Sequence, residues 1–129
     1  MKNESRILLV DDEKNTRLVV TVRLKASGYD VLAVDDAETA LKQIAKYNPD
    51  IIISDTLSRA AKDRINGYSL CKKLKFDDMY KNIPFMFLSA EAQKPKIEQG
   101  YAAGADLYMT KPYDSEELLK NIEMLLNRN

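Results

Sequence analysis

Short apolar runs alternate with segments of helical character five times along this sequence, and this alternation limits the folds open to the chain. The central run, Ile51-Ile52-Ile53-Ser54, has three β-branched residues in a row, which is typical of a strand buried on both faces. The predicted strands are 6–10, 29–34, 51–54, 84–88 and 105–109, and the predicted helices are 13–27, 36–48, 67–74, 93–103 and 114–126. Such alternation predicts right-handed βαβ units, and therefore an α/β fold with a parallel sheet between two layers of helices.

Composition favours one cytoplasmic domain over residues 1–129. Lys and Arg total 20 and Asp and Glu total 20, so the formal net charge is zero, which argues against non-specific attraction to nucleic acid or to an anionic membrane. No apolar run reaches membrane-spanning length, and no signal-peptide core follows Met1. The single Cys71 cannot form an internal disulfide, which fits a reducing compartment. The last predicted helix runs almost to Asn129, so we expect no output domain in this sequence.

The chain contains no histidine. Catalysis by Ser-His-Asp or Cys-His groups is therefore excluded, and a zinc site is disfavoured. Any metal bound here is expected to be a hard cation held by oxygen atoms.

Polar residues stand where the predicted strands end. Asp11 and Asp12 follow the first strand, Asp55 the third, Ser89 the fourth and Lys111 the fifth. If the strand order is the flavodoxin-like 2-1-3-4-5 of a doubly wound sheet, strands one and three flank the crevice where such sheets bind ligands. Three carboxylates there would repel one another, and Mg²⁺ would relieve this repulsion. Together with Lys111 and Ser89, they predict a pocket for a phosphoryl group attached to a carboxylate.

Each of these residues also has an ordinary structural interpretation. Asp11 and Asp12 could cap a helix, and Asp55 could be a turn residue. Ser89 could be a buried hydroxyl or a helix cap, and Lys111 a solvated surface residue. These interpretations do not explain why all five residues fall on the same edge of the sheet.

The sequence resembles the receiver domains of two-component response regulators over almost its whole length. The resemblance is carried by the order and spacing of five segments, Ile7-Leu8-Leu9-Val10-Asp11-Asp12-Glu13, Pro49-Asp50-Ile51-Ile52-Ile53-Ser54-Asp55, Pro84-Phe85-Met86-Phe87-Leu88-Ser89-Ala90, Ala103-Gly104-Ala105-Asp106 and Lys111-Pro112-Tyr113. Each segment is a weak signal alone, and together they are specific.

The resemblance implies a role for each site residue. Asp55 would be the phosphoacceptor, and Asp11, Asp12 and Asp55 would hold Mg²⁺ together with the backbone carbonyl of Leu57. Ser89 would bond the phosphoryl group and Lys111 would pair with it, with the peptide bond before Pro112 in the cis form. Tyr108 occupies the position of an aromatic residue that moves between exposed and buried conformations, so Ser89 and Tyr108 would form the switch.

One segment departs from the family pattern. Receivers usually read D-x-x-x-P-x-x-x-G after the phosphoacceptor, whereas here Gly67 follows Asp55 by twelve positions and no proline intervenes. We interpret 58–66 as a surface insertion whose cations, Arg59, Lys62 and Arg64, could lie near the acidic pocket. The insertion leaves open where the Leu57 carbonyl lies.

The resemblance implies phosphorelay signalling in which the chain catalyses only its own phosphorylation and dephosphorylation. A histidine kinase or a histidine phosphotransfer protein would donate the phosphoryl group, and a downstream protein would bind the face formed by the fourth helix, fifth strand and fifth helix. Two alternatives remain open from the sequence. One is a Mg²⁺-dependent phosphohydrolase with an aspartyl nucleophile, which would need a second carboxylate where Leu57 stands and a substrate cap. The other is a receiver-like interaction module that is never phosphorylated.

Overall fold

Five parallel strands and five helices alternate along residues 4–127, the part of the chain that the computed structural model describes. In chain order they are β1 (Arg6–Val10), α1 (Lys14–Ala26), β2 (Asp30–Val34), α2 (Ala37–Tyr47), β3 (Ile51–Ser54), α3 (Gly67–Lys75), β4 (Phe85–Ser89), α4 (Lys94–Ala102), β5 (Leu107–Thr110) and α5 (Ser115–Leu126). The strands lie side by side in the order β2-β1-β3-β4-β5. The predicted flavodoxin-like topology is therefore confirmed.

Both faces of the sheet are buried because successive strand residues point to opposite sides. Ile51 and Ile53 of β3 pack in the layer of α1 and α5, whereas Ile52 packs in the layer of α2 and α3. All three side chains are almost completely buried, and each contributes about 1.5–3 kcal/mol relative to an exposed side chain. The continuous apolar run of β3 follows from its place in the middle of the sheet.

The apolar stripe that the sequence shows on the first helix faces solvent. Leu18 and Val22 are each 59% exposed and Val19 is 51% exposed, and Ala26 is exposed as well. The periodicity is present, but it does not mark the side of α1 that packs on the sheet.

The inner face of α1 is formed by Val20 and Leu24, which are buried against β1 and β2. Arg17 stands one helical turn before Val20 on the same side, and its Nη1 donates to the backbone carbonyl of Asp11 at 2.8 Å. This contact joins the side of α1 that buries Val20 and Leu24 to the end of β1.

Two other helices leave apolar residues beside their buried positions exposed. Ala45 of α2 is exposed although its neighbour Ile44 is buried, because Ala45 is turned about 100° away around the helix axis. On α4, Ile97 is only half-buried and Tyr101 is 45% exposed, and Gly100 is the buried position of that helix. Helix α4 therefore contacts the sheet at Gly100 rather than through a large apolar side chain.

Strand β5 is an edge strand, since it pairs only with β4 within the described sheet. The carboxyl ends of β1, β3, β4 and β5 lie at one edge of the sheet because all four strands are parallel. Among residues 4–127, no helix is both long and apolar enough to cross a membrane.

Candidate functional site

The residues predicted from the strand ends line one open cleft of about 320 Å³ at the carboxyl edge of the sheet. Asp11, Asp12, Asp55, Ser89 and Lys111 all contribute to its wall. The structure thus brings together side chains that are up to 100 positions apart in the sequence. The prediction that they share one site is confirmed, whereas their individual roles remain proposals.

Backbone hydrogen bonds hold these residues in place beyond the last residues of the strands. The amide of Asp11 donates to the carbonyl of Val34 at 3.1 Å, and the amide of Asp55 donates to the carbonyl of Val10 at 2.8 Å. The amide of Lys111 donates to the carbonyl of Ser89 at 2.8 Å. The site is therefore built on rigid backbone that continues the sheet.

The acidic cluster consists of Asp11, Asp12 and Asp55, each of which offers a carboxylate oxygen within 4.8 Å of the others. Asp11 is almost fully buried, and its Oδ2 lies 2.8 Å from Nζ of Lys111. The same Nζ lies 3.6 Å from Oδ1 of Asp55. A half-buried lysine between two carboxylates offsets part of their mutual repulsion.

The acidic cluster fits a magnesium ion. All of its donor atoms are carboxylate oxygens, which are the ligands that hard divalent cations prefer, and the open cleft leaves space for water and for phosphate oxygens. Soft ligands are not part of the group, because its members are all aspartates.

Leu57 adopts a left-handed backbone conformation, with φ at 56°. Its amide donates to Oδ2 of Asp55 at 2.9 Å, and its carbonyl oxygen accepts from the amide of Ala60 at 3.0 Å. A carbonyl oxygen has a second lone pair, so the contact with Ala60 leaves one electron pair for another partner. Coordination of a metal by Leu57 stays a prediction.

Ser89 is buried at the end of β4, with contacts on two sides of its hydroxyl. Its Oγ accepts from the backbone amide of Glu91 at 3.0 Å and lies 3.2 Å from Oγ1 of Thr56. The predictions from the sequence did not include Thr56 or Glu91. Thr56 directly follows Asp55, which is one of the predicted site residues, but nothing in the sequence indicates that the Thr56 side chain would contact β4.

Tyr108 is buried in the layer of α2 and α3, with its hydroxyl against the β4–α4 loop. The hydroxyl donates to the carbonyl of Glu91 at 2.6 Å, and the ring packs on Phe87 with centroids 5.5 Å apart. Burial raises the pKa of the Tyr108 hydroxyl. Glu91 therefore bonds Ser89 through its amide and Tyr108 through its carbonyl, which links the two residues of the predicted switch through one peptide segment.

The longer loop before α3 is attached to the start of α2. Arg64 Nε and Nη2 lie 3.0 and 3.2 Å from the two carboxylate oxygens of Glu38, and the amide of Ile65 donates to Glu38 as well. The hydrogen bonds from Arg64 lower the pKa of Glu38 to about 2. Arg59 stays largely exposed, with Nη2 3.9 Å from Oδ1 of Asp12. Of the three cations of the insertion, Arg59 is the one that reaches the acidic cluster.

A comparison with protein-family models matches the response regulator receiver domain over residues 7–123. This chain belongs to that family. The match agrees with the fold and with the acidic cleft, and it favours a receiver in two-component signalling over the phosphohydrolase alternative. The Lys111–Pro112 peptide bond is cis, as the resemblance implied.

Curated relatives of this receiver are about twice its length. It is 33% identical over 123 residues to the DNA-binding dual master transcriptional regulator RpaA of Synechocystis sp., covering 95% of this chain and 49% of the relative. The chain thus spans about half the length of the curated relatives it matches.

Solved receivers have the same fold. The chemotaxis response regulator CheY4 of Vibrio cholerae matches with a TM-score of 0.83 and 30% identity, covering 95% of this chain and 99% of that chain. The receiver domain of the sensor histidine kinase PA1611 from Pseudomonas aeruginosa PAO1 matches with a TM-score of 0.84 and 26% identity, covering 96% and 98%. In the latter structure a magnesium ion is coordinated in the active site cleft.

Proposed function

We propose that this receiver takes a phosphoryl group onto Asp55 from the phosphohistidine of a histidine kinase or a histidine phosphotransfer protein. The observation that carries the proposal is the placement of Asp55, whose carboxylate lies at the tip of the central strand beside the acidic pair and 3.6 Å from Nζ of Lys111. The Asp55 side chain is 15% exposed, so an incoming group can reach it from the cleft.

The transfer is a displacement at phosphorus. An oxygen of the Asp55 carboxylate attacks, the new O–P bond forms as the N–P bond of the donor breaks, and the imidazole nitrogen leaves with the electron pair. Lys111 neutralises negative charge on the phosphoryl oxygens, and Ser89 donates a hydrogen bond to one of them. Asp11, Asp12 and Asp55 would hold Mg²⁺, with the carbonyl of Leu57 as a further ligand. When bound, the ion supplies positive charge to the phosphoryl oxygens.

The product is an acyl phosphate on the protein itself, which water later hydrolyses to inorganic phosphate and a free carboxylate. We therefore infer a signalling protein that catalyses only its own phosphorylation and dephosphorylation. Formation of the acyl phosphate would bias a two-state equilibrium through Ser89 and Tyr108 and change the face formed by α4, β5 and α5. A downstream protein would bind that face.

The proposed setting is the cytoplasm, without membrane binding. The balanced charge of the chain gives the receiver no general attraction to nucleic acid, so we propose that it does not bind nucleic acid directly. The DNA-binding activity named for RpaA belongs to a protein about twice as long as this chain.

The test of the proposed function is incubation with acetyl phosphate and Mg²⁺, followed by intact mass measurement. A gain in mass of one phosphoryl group, dependent on Mg²⁺, is the expected result. No gain in a folded protein would instead favour the alternative of a receiver-like module that is never phosphorylated.

Magnesium is expected to raise the melting temperature of the protein, and Asp12→Ala is expected to reduce that rise. The ion binds the folded acidic cluster and not the unfolded chain, so binding stabilises the folded state by mass action. Thermal melting with and without Mg²⁺ is the measurement. Asp78→Ala is the control, because Asp78 is an exposed carboxylate in the loop after α3. A full magnesium response in Asp12→Ala would contradict the assignment of Asp12 as a ligand.

Ser89→Ala is expected to keep labelling at Asp55 but to weaken the response of the region around Tyr108. The reason is that the hydroxyl of Ser89 would link the phosphoryl group to Glu91, whose carbonyl accepts from Tyr108. Amide hydrogen exchange with and without beryllofluoride, a mimic of the phosphoryl group, measures this coupling. Ser27→Ala, at the far end of α1, should respond as the parent does. Equal responses in parent and Ser89→Ala would refute the coupling.

A further inference from the structure

The hydroxyl of Thr56 is buried behind the phosphoryl site and contacts the hydroxyl of Ser89, with the two oxygen atoms 3.2 Å apart. We propose that Thr56 is a positioning residue, which donates its hydroxyl hydrogen to Ser89 and thereby reserves the hydrogen of Ser89 for a phosphoryl oxygen on Asp55. This inference rests on the proposed function, because it concerns the group that Asp55 would carry.

The hydrogen-bonding capacity of Ser89 decides the direction of its bonds. A serine hydroxyl has two acceptor lone pairs and one hydrogen. One lone pair accepts from the backbone amide of Glu91 at 3.0 Å, and an amide can only donate. If Thr56 donates to the second lone pair, the single hydrogen of Ser89 remains. It can then be directed to the hydroxyl of Tyr108 or into the cleft that Ser89 shares with Asp55.

The surroundings of Thr56 select the same direction. Thr56 is completely buried, and Ser89 Oγ is the partner found for its hydroxyl within residues 4–127. If Ser89 donated instead, the hydrogen of Thr56 would be buried without an acceptor, which is unfavourable. Ser89 lines the cleft and its hydroxyl also lies close to that of Tyr108, whereas Thr56 has no further partner among the described residues. Thr56 is therefore the donor.

The backbone holds both hydroxyls in register. Thr56 directly follows Asp55, and its carbonyl accepts from the amide of Gly67 at 2.7 Å. Ser89 is the last residue of β4, which pairs with β3. The pair thus connects the residue after the phosphoacceptor to the residue that would sense phosphorylation, without a flexible side chain between them.

The decisive variants are Thr56→Val, which replaces the hydroxyl with a methyl group of similar size, and Thr56→Ser, which keeps the hydroxyl. Both are made in the parent and in the Ser89→Ala background. Beryllofluoride affinity in the presence of Mg²⁺ and amide exchange around Tyr108 are measured for each. Labelling by acetyl phosphate in the parent is the reference for the proposed function.

Thr56→Val is expected to weaken beryllofluoride binding about fivefold, with Thr56→Ser within about twofold of the parent. In the Ser89→Ala background, Thr56→Val should cause no further loss, because its effect passes through Ser89. The amide-exchange response around Tyr108 should follow the same order.

Three results would overturn the inference. The first is binding of beryllofluoride by Thr56→Val that equals that of the parent, and the second is binding by Thr56→Ser as weak as that expected of Thr56→Val. The third is a loss from Thr56→Val in the Ser89→Ala background that equals its loss in the parent. The last pattern would show a purely structural role. If Thr56→Val does not fold, Thr56→Ala removes the same hydroxyl and is judged by the same criteria. A folded parent that neither binds beryllofluoride nor accepts label overturns the proposed function as well, whereas a labelled parent with an unaffected Thr56→Val overturns the role of Thr56 alone.

Discussion

Asp55→Asn is expected to reduce labelling by acetyl phosphate to background while leaving the protein folded. Asparagine has nearly the same shape as aspartate, but its neutral amide lacks the anionic oxygen that attacks phosphorus. Removing one of three neighbouring carboxylates also relieves their repulsion, so the magnesium-free variant should melt no lower than the parent. Intact mass after incubation with acetyl phosphate and Mg²⁺ measures the loss, and thermal melting confirms the fold.

The matched control for Asp55→Asn is Asp50→Asn. Asp50 stands just before the other end of β3, where its Oδ2 accepts from the backbone amide of Arg6 at 2.7 Å. It has the same chemistry and a neighbouring place in the sequence, but it lies outside the cleft. Asp50→Asn should be labelled like the parent. Labelling of Asp55→Asn at the parental rate would show that another residue accepts the phosphoryl group.

Residues at strand ends could be predicted from the sequence because their placement depends only on topology. Once β1 and β3 are neighbours, the acids that follow them must meet, whatever the details of side-chain packing. Asp11 and Asp55 illustrate this, since they follow the neighbouring strands β1 and β3. Lys111 follows the edge strand β5, two strands from β3, and reaches both acids through its long side chain. The same reasoning gave Ser89, whose place at the end of β4 the structure confirms.

The orientation of α1 could not be predicted from periodicity, because apolar residues occur on both sides of this helix. The sequence shows a stripe through Leu18 and Val22, and hydrophobic periodicity alone would turn that stripe inward. The hydrogen bond from Arg17 to the end of β1 instead accompanies burial of Val20 and Leu24. Periodicity identified the helix but not the side that packs.

The contact between Thr56 and Ser89 could not be predicted from the sequence either. Hydroxyl residues are common in and around strands, and only the register of β3 against β4 brings these two within 3.2 Å. Register between parallel strands is set by packing on both faces of the sheet, and short apolar runs do not encode it visibly.

The unusual spacing of Gly67 from Asp55 also has a structural explanation. The longer loop is accommodated at the surface, where Arg64 attaches it to Glu38, and Gly67 still packs on the backbone of Asp55 and Thr56. The interpretation of 58–66 as a surface insertion agrees with this geometry. Gly67 is therefore a contact residue of the site as well as the first residue of α3.

Gly67→Ala is expected to destabilise the protein by about 3 kcal/mol and to slow labelling of Asp55. A β-carbon at position 67 would lie 2.8 Å from Cα of Thr56 and 2.9 Å from its carbonyl carbon, and it would also overlap the carbonyl oxygen of Asp55. These neighbours are backbone atoms of the segment that holds Asp55, so no side chain can turn aside to make room. The added methyl group must move either the start of α3 or the end of β3. Urea unfolding gives the stability, and the rate of mass gain with acetyl phosphate and Mg²⁺ gives the effect on the site.

Gly28→Ala is the matched control for this last variant. Gly28 has a φ of 96°, which disfavours alanine, but a β-carbon there would meet nothing within 4 Å. Gly28→Ala should lower the free energy of unfolding by about 1 kcal/mol, because of backbone conformation alone. Labelling should be unchanged because Gly28 lies at the far end of α1. A Gly67→Ala protein as stable and as readily labelled as the parent would show that the Asp55–Thr56 backbone can move without consequence. In that case the close approach of α3 to the backbone of Asp55 would have no part in building the site.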